Sequence, residues 1–275
     1  MIRRLARKLR QIVDDRLFYI NGMKPWTRGY HTYKRKSIIA GLEGGFRPDS
    51  LAEGYGYRVD ERVIEYPWFF SVLPEGEGKL LDAGSILNHG YIISQPKLAS
   101  KKIWISTLAP EGNAFWNRGI SYVYEDMRAL CYREDYFDWI VCLSTLEHVG
   151  MDNTLRYTSD PDTSELNRDS HLDAVREMHR VLKPGGTLYL SFPFGKDKSH
   201  EWLQFFDADM TDKVIEAFGP SAVKEIVYQY TESGWVVSSR EDAKDATYFD
   251  IHAQKDYDAD YAAASRAIVT LELTK

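Results

Sequence analysis

The sequence predicts a doubly wound α/β fold, in which a mostly parallel sheet of seven strands has helices on both faces. Three segments carry this prediction. The run 79–85 is an apolar strand that ends in an acid and a glycine, and a second apolar strand over 137–143 leads into a polar turn. The segment 178–190 joins the end of a helix to a further strand through a Pro-Gly-Gly turn. Such strands deliver polar residues to the carboxyl edge of a parallel sheet, where α/β proteins bind ligands.

Apolar runs bounded by turn residues give the strands in chain order. Ser170, with Asp173 three residues later, is typical of a helix start, and Pro184 ends that helix. Pro96 ends a short helix that begins near His89, because proline disfavours helix at the residue before it. The predicted strands are 79–83, 102–107, 120–124, 139–143, 187–192, 223–230 and 267–273, and the later helices are 170–182 and 209–218.

Residues 1–75 lack a strand pattern, and we predict that they form an N-terminal helical cap on a sheet domain that spans 76–275. The segment 59–73 is apolar and indicates a helix or a helical pair. Residues 2–13 form a basic amphipathic start, with apolar residues near helical spacing and five Arg or Lys side chains between them. A helix of this kind can lie on an anionic membrane surface or dock on the protein with its basic face in water. The sequence leaves both interpretations open.

Composition excludes several classes of protein. The 275-residue chain has 44% hydrophobic residues, enough for a full core, and no apolar run long enough to span a membrane. Its net charge of −6 argues against a nucleic-acid-binding body. The two cysteines, Cys131 and Cys142, are too few for a disulfide framework and indicate a reducing compartment, the cytoplasm, with contact at the inner face of the membrane left open. No spacing typical of a zinc site occurs, and we predict no structural zinc, while a catalytic divalent ion held by oxygen ligands stays open.

The ordered set formed by 79–85, the segment 137–148 and the turn at 183–186 resembles the class I S-adenosylmethionine (SAM)-dependent methyltransferases, which have a Rossmann-like fold. The loop 193–207 resembles a segment of a bacterial subgroup linked to cell-surface glycan or capsule pathways. The resemblance implies SAM as cofactor and an antiparallel hairpin made by the last two strands. It covers roughly residues 75–195.

The resemblance also implies roles for residues at the strand ends. The turn after the first strand would approach the methionine tail of SAM, although it is less rich in glycine than the family's pattern. The second strand lacks the family's terminal acid, so that either Thr107 or Glu111 would contact the ribose, while Glu111 is equally well a surface acid. Asp126 and Met127 would contact the adenine, although Asp126 can instead cap a helix. The cofactor candidates are Asp82, Ala83, Gly84, Ser85, Asn88, Thr107, Glu111, Asp126, Met127, Ser144 and Thr145.

His148 follows the fourth strand, close to where the transferred methyl group would lie. Its ordinary pKa near neutrality suits a general base that takes a proton from a hydroxyl, although a structural histidine is an equal alternative. His200 is the second catalytic candidate and also a substrate contact, on a loop rich in aromatic and polar residues. The substrate candidates are Phe194, His200, Trp202, Asp207, Tyr55 and Tyr57.

We therefore expect a methyltransferase that acts on an oxygen of a small-molecule or glycan-type acceptor, either a sugar hydroxyl or a phosphate-type oxygen. The missing ribose acid and the basic N-terminal segment favour an alternative, a catalytically inactive SAM-fold scaffold at a membrane-bound complex. A nicotinamide-dependent dehydrogenase is disfavoured, since the Gly-x-Gly-x-x-Gly fingerprint is absent.

Overall fold

The computed structural model describes residues 12–154, 164–196 and 200–275. The first part of the basic N-terminal segment, up to residue 11, lies outside the described residues. The chain folds as two compact units. One consists of the described residues up to Val72 together with Val227–Ile268, and the other consists of Leu73–Ile226 and Val269–Lys275. The predicted division at residue 75 stays a prediction.

Eight strands form one sheet in the order β3-β2-β1-β4-β5-β8-β6-β7. The strands β1 to β5 pair in parallel, and their order reverses on the two sides of β1. This arrangement confirms the predicted doubly wound α/β class. The strands are β1 (Gly78–Ala83), β2 (Lys101–Thr107), β3 (Ser121–Tyr124), β4 (Phe137–Leu143), β5 (Leu182–Pro193), β6 (Ala222–Thr231), β7 (Gly234–Ser238) and β8 (Ala267–Thr274).

The C-terminal strands differ in detail from the prediction. The antiparallel hairpin is formed by β6 and β7, with Tyr230 opposite Trp235. The sequence did not predict β7, because this short strand begins with a glycine, Gly234, and has exposed Val236 and Val237 side chains. The last strand, β8, lies between β5 and β6.

The helices of the second unit follow their sequence signals closely. α4 (Ser170–Val181) buries Ala174, Val175 and Met178 on one face, and the backbone continues directly into β5. The predicted Pro-Gly-Gly turn lies within β5, where the register against β4 is irregular. α5 (Ala208–Phe218) is preceded by its N-cap residue, Asp207, whose carboxylate accepts a hydrogen bond from Met210 N. Short 3₁₀ turns occur at Pro96–Leu98, Trp116–Arg118 and Leu146–His148.

The first unit is mainly helical. The described part of α1 covers residues 12–20, and it is followed by α2 (Tyr30–Glu43), α3 (Arg62–Val72) and the short α6 (Arg240–Ala243). Most of α3 is buried, as its apolar sequence predicts. No helix in the described part of the chain is long and apolar enough to cross a membrane.

Candidate active site

A cleft opens where β1, β2, β3 and β4 end, within the second unit. Its cavity volume is about 240 Å³, a little below the range usual for small-molecule sites. Because the four strands are parallel neighbours, their carboxyl ends meet at one edge. The lining residues are Gly84, Ser106, Thr107, Leu108, Glu125, Asp126, Met127, Arg128, Thr145, His148, Val149, Gly150, Asn153 and Glu165.

The turn after β1 is organised by the buried carboxylate of Asp82. One carboxylate oxygen accepts a hydrogen bond from Ile86 N at 3.0 Å and the other accepts one from Leu87 N at 2.8 Å. Burial raises the pKa of Asp82 to about 7, although the two backbone hydrogen bonds act in the opposite direction. Asp82 therefore fixes the shape of the turn and does not itself line the cleft.

Gly84 lines the cleft at the start of this turn, with a φ of 117° that favours glycine. A Cβ at this position would lie 2.4 Å from Cγ2 and Oγ1 of Thr145. The sequence predicts a glycine here so that a ligand can approach the backbone closely. The structure shows a second reason, because the side chain of Thr145, in the turn after β4, occupies the space that a Cβ would fill. Ala83 is buried beside Gly84, and Ser85 has a φ of 65° and a buried hydroxyl without a hydrogen-bond partner among the described residues.

Thr107 lies at the end of β2 and lines the cleft, where its buried hydroxyl has no hydrogen-bond partner among the described residues. The other predicted ribose contact, Glu111, accepts a hydrogen bond from Asn88 Nδ2 at 2.8 Å. Asn88 also donates to Asn113 O and accepts from the hydroxyl of Tyr122. Asn88 and Glu111 thus link the turn after β1 to the loop after β2, and neither lines the cleft.

Glu125 is an acid that the sequence reasoning did not select. It lines the cleft, accepts a hydrogen bond from Ser106 Oγ at 2.6 Å, and accepts a second from Cys131 N at 2.8 Å. The hydroxyl of Tyr132 lies 3.1 Å from Ser106 Oγ. Glu125 thus brings a carboxylate to the end of β2, where the family's ribose acid is missing from the sequence. Its position directly before Asp126 was the one available signal.

Asp126 and Met127, the predicted adenine contacts, line the cleft after β3. The carboxylate of Asp126 accepts hydrogen bonds from Nε and Nη2 of Arg128, and Arg128 also donates to both carboxylate oxygens of Glu165, at 2.6 and 2.8 Å. Burial raises the pKa of Asp126, but the hydrogen bonds and charge of Arg128 outweigh it and hold the pKa below its ordinary value. The sequence contains no pattern that links Glu165 to this loop.

His148 lies in the 3₁₀ turn after β4, is 6% exposed, and lines the cleft. Its Nδ1 lies 2.8 Å from the carbonyl oxygen of Trp202, and its ring stacks on the Trp202 indole at a centroid distance of 5.4 Å. A carbonyl oxygen can only accept, so Nδ1 carries the proton and the lone pair of the neutral imidazole is on Nε2. Nε2 lies 3.8 Å from Oε1 of the buried Glu147.

Three predicted residues from the loop after β5 lie outside the cleft lining. Phe194 is fully buried, Asp207 caps α5, and His200 forms a backbone bridge with Leu203. Trp202 approaches the site through its contacts with His148. Ser144, after β4, is buried with a φ of 38° and donates its backbone N–H to Ser191 O.

Tyr55 and Tyr57 belong to the first unit, where both line a separate cleft. The Tyr55 hydroxyl donates to Val63 O, and the Tyr57 carbonyl accepts from the Tyr33 hydroxyl. Their substrate role stays a prediction.

The polar and charged side chains of the cleft suit a cationic ligand that carries hydroxyl groups. Its described lining residues include three carboxylates and one guanidinium, and both Asp126 and Glu165 already engage this guanidinium. The hydroxyl of Thr107 needs a partner, since a buried polar group without one is costly. A sulfonium nucleoside such as SAM offers the charge and the ribose hydroxyls for which these groups are suited. Within the described ranges, no cluster of His, Cys, Asp or Glu could hold a metal ion.

Comparisons with known proteins are consistent with this chemistry. Residues 100–190 match a family model described as a methyltransferase domain. This segment contains Thr107, Asp126, Thr145 and His148. No curated protein matches the sequence. The match covers about a third of the chain and agrees in kind with the resemblance found in the sequence.

Solved structures with a similar fold share little sequence with this chain. The [4+2]-cyclase SpnF is 16% identical, with 90% of this chain and 95% of that chain covered and a TM-score of 0.49. A possible histamine N-methyltransferase from Thermotoga maritima is 16% identical, with coverages of 77% and 88% and a TM-score of 0.44. The 1,6-didemethyltoxoflavin-N1-methyltransferase of Burkholderia thailandensis, solved with S-adenosylhomocysteine, is 14% identical, with coverages of 73% and 72% and a TM-score of 0.42.

Proposed function

We propose that this protein transfers a methyl group from SAM to a hydroxyl oxygen of a small-molecule or glycan-type acceptor. The observation that carries the proposal is the cleft itself. It gathers Thr107, Asp126, Met127, Thr145 and His148 from the ends of three different strands, and each of them was selected for such a site from the sequence. The methyltransferase domain matched over residues 100–190 supports the reaction class.

Residues of the cleft divide into two groups according to what they would hold. When bound, SAM supplies an electrophilic methyl group on a sulfonium centre. Thr107 and Glu125 offer hydrogen-bond partners for ribose hydroxyls, and Asp126 and Met127 offer an acceptor and a backbone N–H for the adenine edge. The turn 84–87, which Asp82 fixes through two backbone hydrogen bonds, would hold the methionine tail.

The position of His148 in the cleft favours a substrate whose accepting oxygen must lose a proton before or during methyl transfer. An alcohol becomes a good nucleophile only as its proton leaves, and an imidazole with its lone pair on Nε2 can take that proton. Trp202 fixes this tautomer through its carbonyl oxygen, and Glu147 would stabilise the imidazolium that forms. The backbone of Gly84 approaches the side chain of Thr145 closely in the same part of the cleft. Positioning of the acceptor supplies the rest of the rate.

The charges in the cleft favour a neutral hydroxyl over a phosphate-type oxygen. Arg128 is the one cationic side chain among the lining residues that the structure describes, and its guanidinium donates to two carboxylates. An anionic acceptor would therefore meet carboxylates without a cation ready to pair with it. A sugar or other polyol places no charge in the site and offers several donors.

The first test is the affinity for SAM, measured by calorimetry with the full chain. We expect saturable binding, and no binding at millimolar SAM would contradict the proposed function. Methyl transfer to a panel of hydroxylated compounds is then followed as release of S-adenosylhomocysteine. Binding without transfer to any acceptor would favour the alternative of an inactive SAM-fold scaffold.

The second test replaces His148. We expect His148→Ala to lower kcat by about 100-fold or more with SAM affinity nearly unchanged, since the base acts only in the chemical step. His200→Ala would mainly raise the KM of the acceptor, and His252→Ala, an exposed histidine of the first unit, serves as the control. Full activity of His148→Ala and His200→Ala between about pH 6 and 9 would reject a histidine base.

A further inference from the structure

Helix α1 presents two faces of different character. Its side chains separate into an inner and an outer arc when placed at about 100° per residue. The inner arc, which faces the protein, holds Asp14, Asp15 and Phe18. The outer arc, which faces solvent, is about 120° wide and holds five residues. Those residues are Ile12, Val13, Arg16, Tyr19 and Ile20.

The inner face is fixed to the first unit. Phe18 is fully buried and packs against the rings of Tyr30 and Tyr33, with centroids 6.1 and 5.1 Å away. Asp14 forms an ion pair with Arg28 at 2.8 Å, and Asp15 forms one with Lys36. Both acids of this helix are thus paired on the side that faces the protein.

The outer face is exposed and apolar. Ile12 is 52% exposed, Val13 47%, Tyr19 59% and Ile20 77%, which makes four large apolar side chains on one short helix. Arg16 is exposed among them, and the outer arc contains no acid. Single exposed apolar residues are ordinary, but a contiguous group of this kind marks an interaction surface.

Charge complementarity identifies the partner. Residues 1–13 contain Arg3, Arg4, Arg7, Lys8 and Arg10 and no acid, although the whole chain carries a net charge of −6. An anionic bilayer offers apolar volume for the outer face together with negative headgroups for these residues. We propose that the outer face of α1 docks the protein on an anionic membrane surface.

The test measures sedimentation of the full chain with two kinds of vesicle, phosphatidylcholine alone and phosphatidylcholine with about a third phosphatidylglycerol. We expect binding to the anionic vesicles only, with loss of binding at about 0.5 M salt, because salt screens the headgroup charge. Ile20→Glu should weaken binding by about tenfold or more. Arg16→Gln should weaken it by about fivefold, the effect of one basic residue near such a surface.

Matched controls separate docking from general changes in the protein. Val223→Glu adds the same charge at another exposed apolar residue, and Lys213→Gln removes a cation from an exposed ion pair on α5. Both should bind like the wild type, and all variants should keep the SAM affinity of the wild type. The proposal is overturned if the wild type does not bind anionic vesicles at low salt, or binds neutral vesicles equally well. It is also overturned if Ile20→Glu binds unchanged, or if Ile20→Glu abolishes self-association in solution while no variant binds vesicles.

Discussion

The turn after β1 and the loop after β3 contribute to the same cleft, and each is built around a carboxylate. Asp82 is fully buried, its carboxylate accepts hydrogen bonds from two backbone N–H groups, and no cation in the described part of the chain pairs with it. Asp126 is half-buried and shares the guanidinium of Arg128 with Glu165. The pKa of the first is raised to about 7 by burial, and the pKa of the second is lowered because Arg128 outweighs its burial. The contribution of the turn after β1 to ligand binding should therefore depend on backbone shape and pH. The contribution of the loop after β3 should depend on charge and on salt concentration.

The largest effect should come from the β1 turn. Gly84→Val adds a side chain at a φ of 117° and places it against Thr145. We expect the free energy of unfolding to fall by about 2–5 kcal/mol, the combined cost of backbone strain and overpacking, and SAM binding to be lost. Urea unfolding and calorimetry measure the two effects.

Gly76→Val is the matched control for this variant. Gly76 also has a positive φ, 97°, but a Cβ there would meet nothing within 4 Å. It should cost about 1–2 kcal/mol, the strain alone, and leave SAM binding intact. If Gly84→Val is no less stable than Gly76→Val, the contact with Thr145 does not determine the turn.

The second effect is a pH dependence of stability and SAM affinity that we expect from Asp82 and not from Asp126. Because the pKa of Asp82 is about 7 in the folded protein and near 3.8 otherwise, folding takes up a proton between those values, and this group lowers stability as pH rises through them. Its ionised form is the better acceptor for Ile86 N and Leu87 N. We therefore expect SAM affinity to fall several-fold as pH drops from about 8 to 6.

Asp82→Asn tests the origin of this pH dependence. An amide places a donor against one of the two N–H groups, so that SAM should bind about tenfold or more weakly at every pH, without the dependence. The control is Asp138→Asn at the start of β4, whose carboxylate pairs with Lys183 at 2.6 Å. Burial raises the pKa of Asp138, but Lys183 and the backbone N–H of Lys79 outweigh it and hold the pKa below the ordinary value, so this variant should keep the wild-type pH profile. A pH dependence that persists in Asp82→Asn would assign it to another group.

The same contrast explains what the sequence could predict. Asp82, Asp126 and His148 each follow an apolar strand, and parallel strands bring their carboxyl ends together, so local pattern was enough to place them at one edge. Arg128 and Glu165 are 37 residues apart and meet through tertiary structure alone. Periodicity carries no signal for such a pair. The role of Gly84 was foreseen as space for a ligand, but its contact with Thr145 depends on the neighbouring order of β1 and β4.

β7 was missed for a related reason. Its five residues, Gly234–Ser238, carry exposed valines and follow β6 after a two-residue turn. A short strand with exposed apolar residues has no clear alternation, and its pairing with β6 is what defines it. The position of β8 between β5 and β6 also depends on long-range pairing that a local pattern does not encode.

The smallest effect should come from the loop after β3. Glu165→Gln removes one of the two carboxylates on Arg128, in a cluster whose side chains are 27–39% exposed. Exposed ion pairs contribute about 0–1 kcal/mol, and Asp126 still engages the guanidinium. We therefore expect SAM to bind no more than about fivefold more weakly, and unfolding to change little. The loss of a negative charge from the cleft should also reduce the salt dependence of SAM binding.

Calorimetry at about 50 and 500 mM salt measures this change. Asp173→Asn is the matched control, because Asp173 pairs with Arg176 on the exposed face of α4 and does not line the cleft. It should leave both the affinity and its salt dependence unchanged. A loss of affinity far beyond tenfold in Glu165→Gln would mean that Glu165 contacts the ligand directly, because a partly exposed carboxylate acting only through Arg128 cannot account for so large a change. An unaltered salt dependence would mean instead that the field of the cleft comes from Glu125 and Asp126.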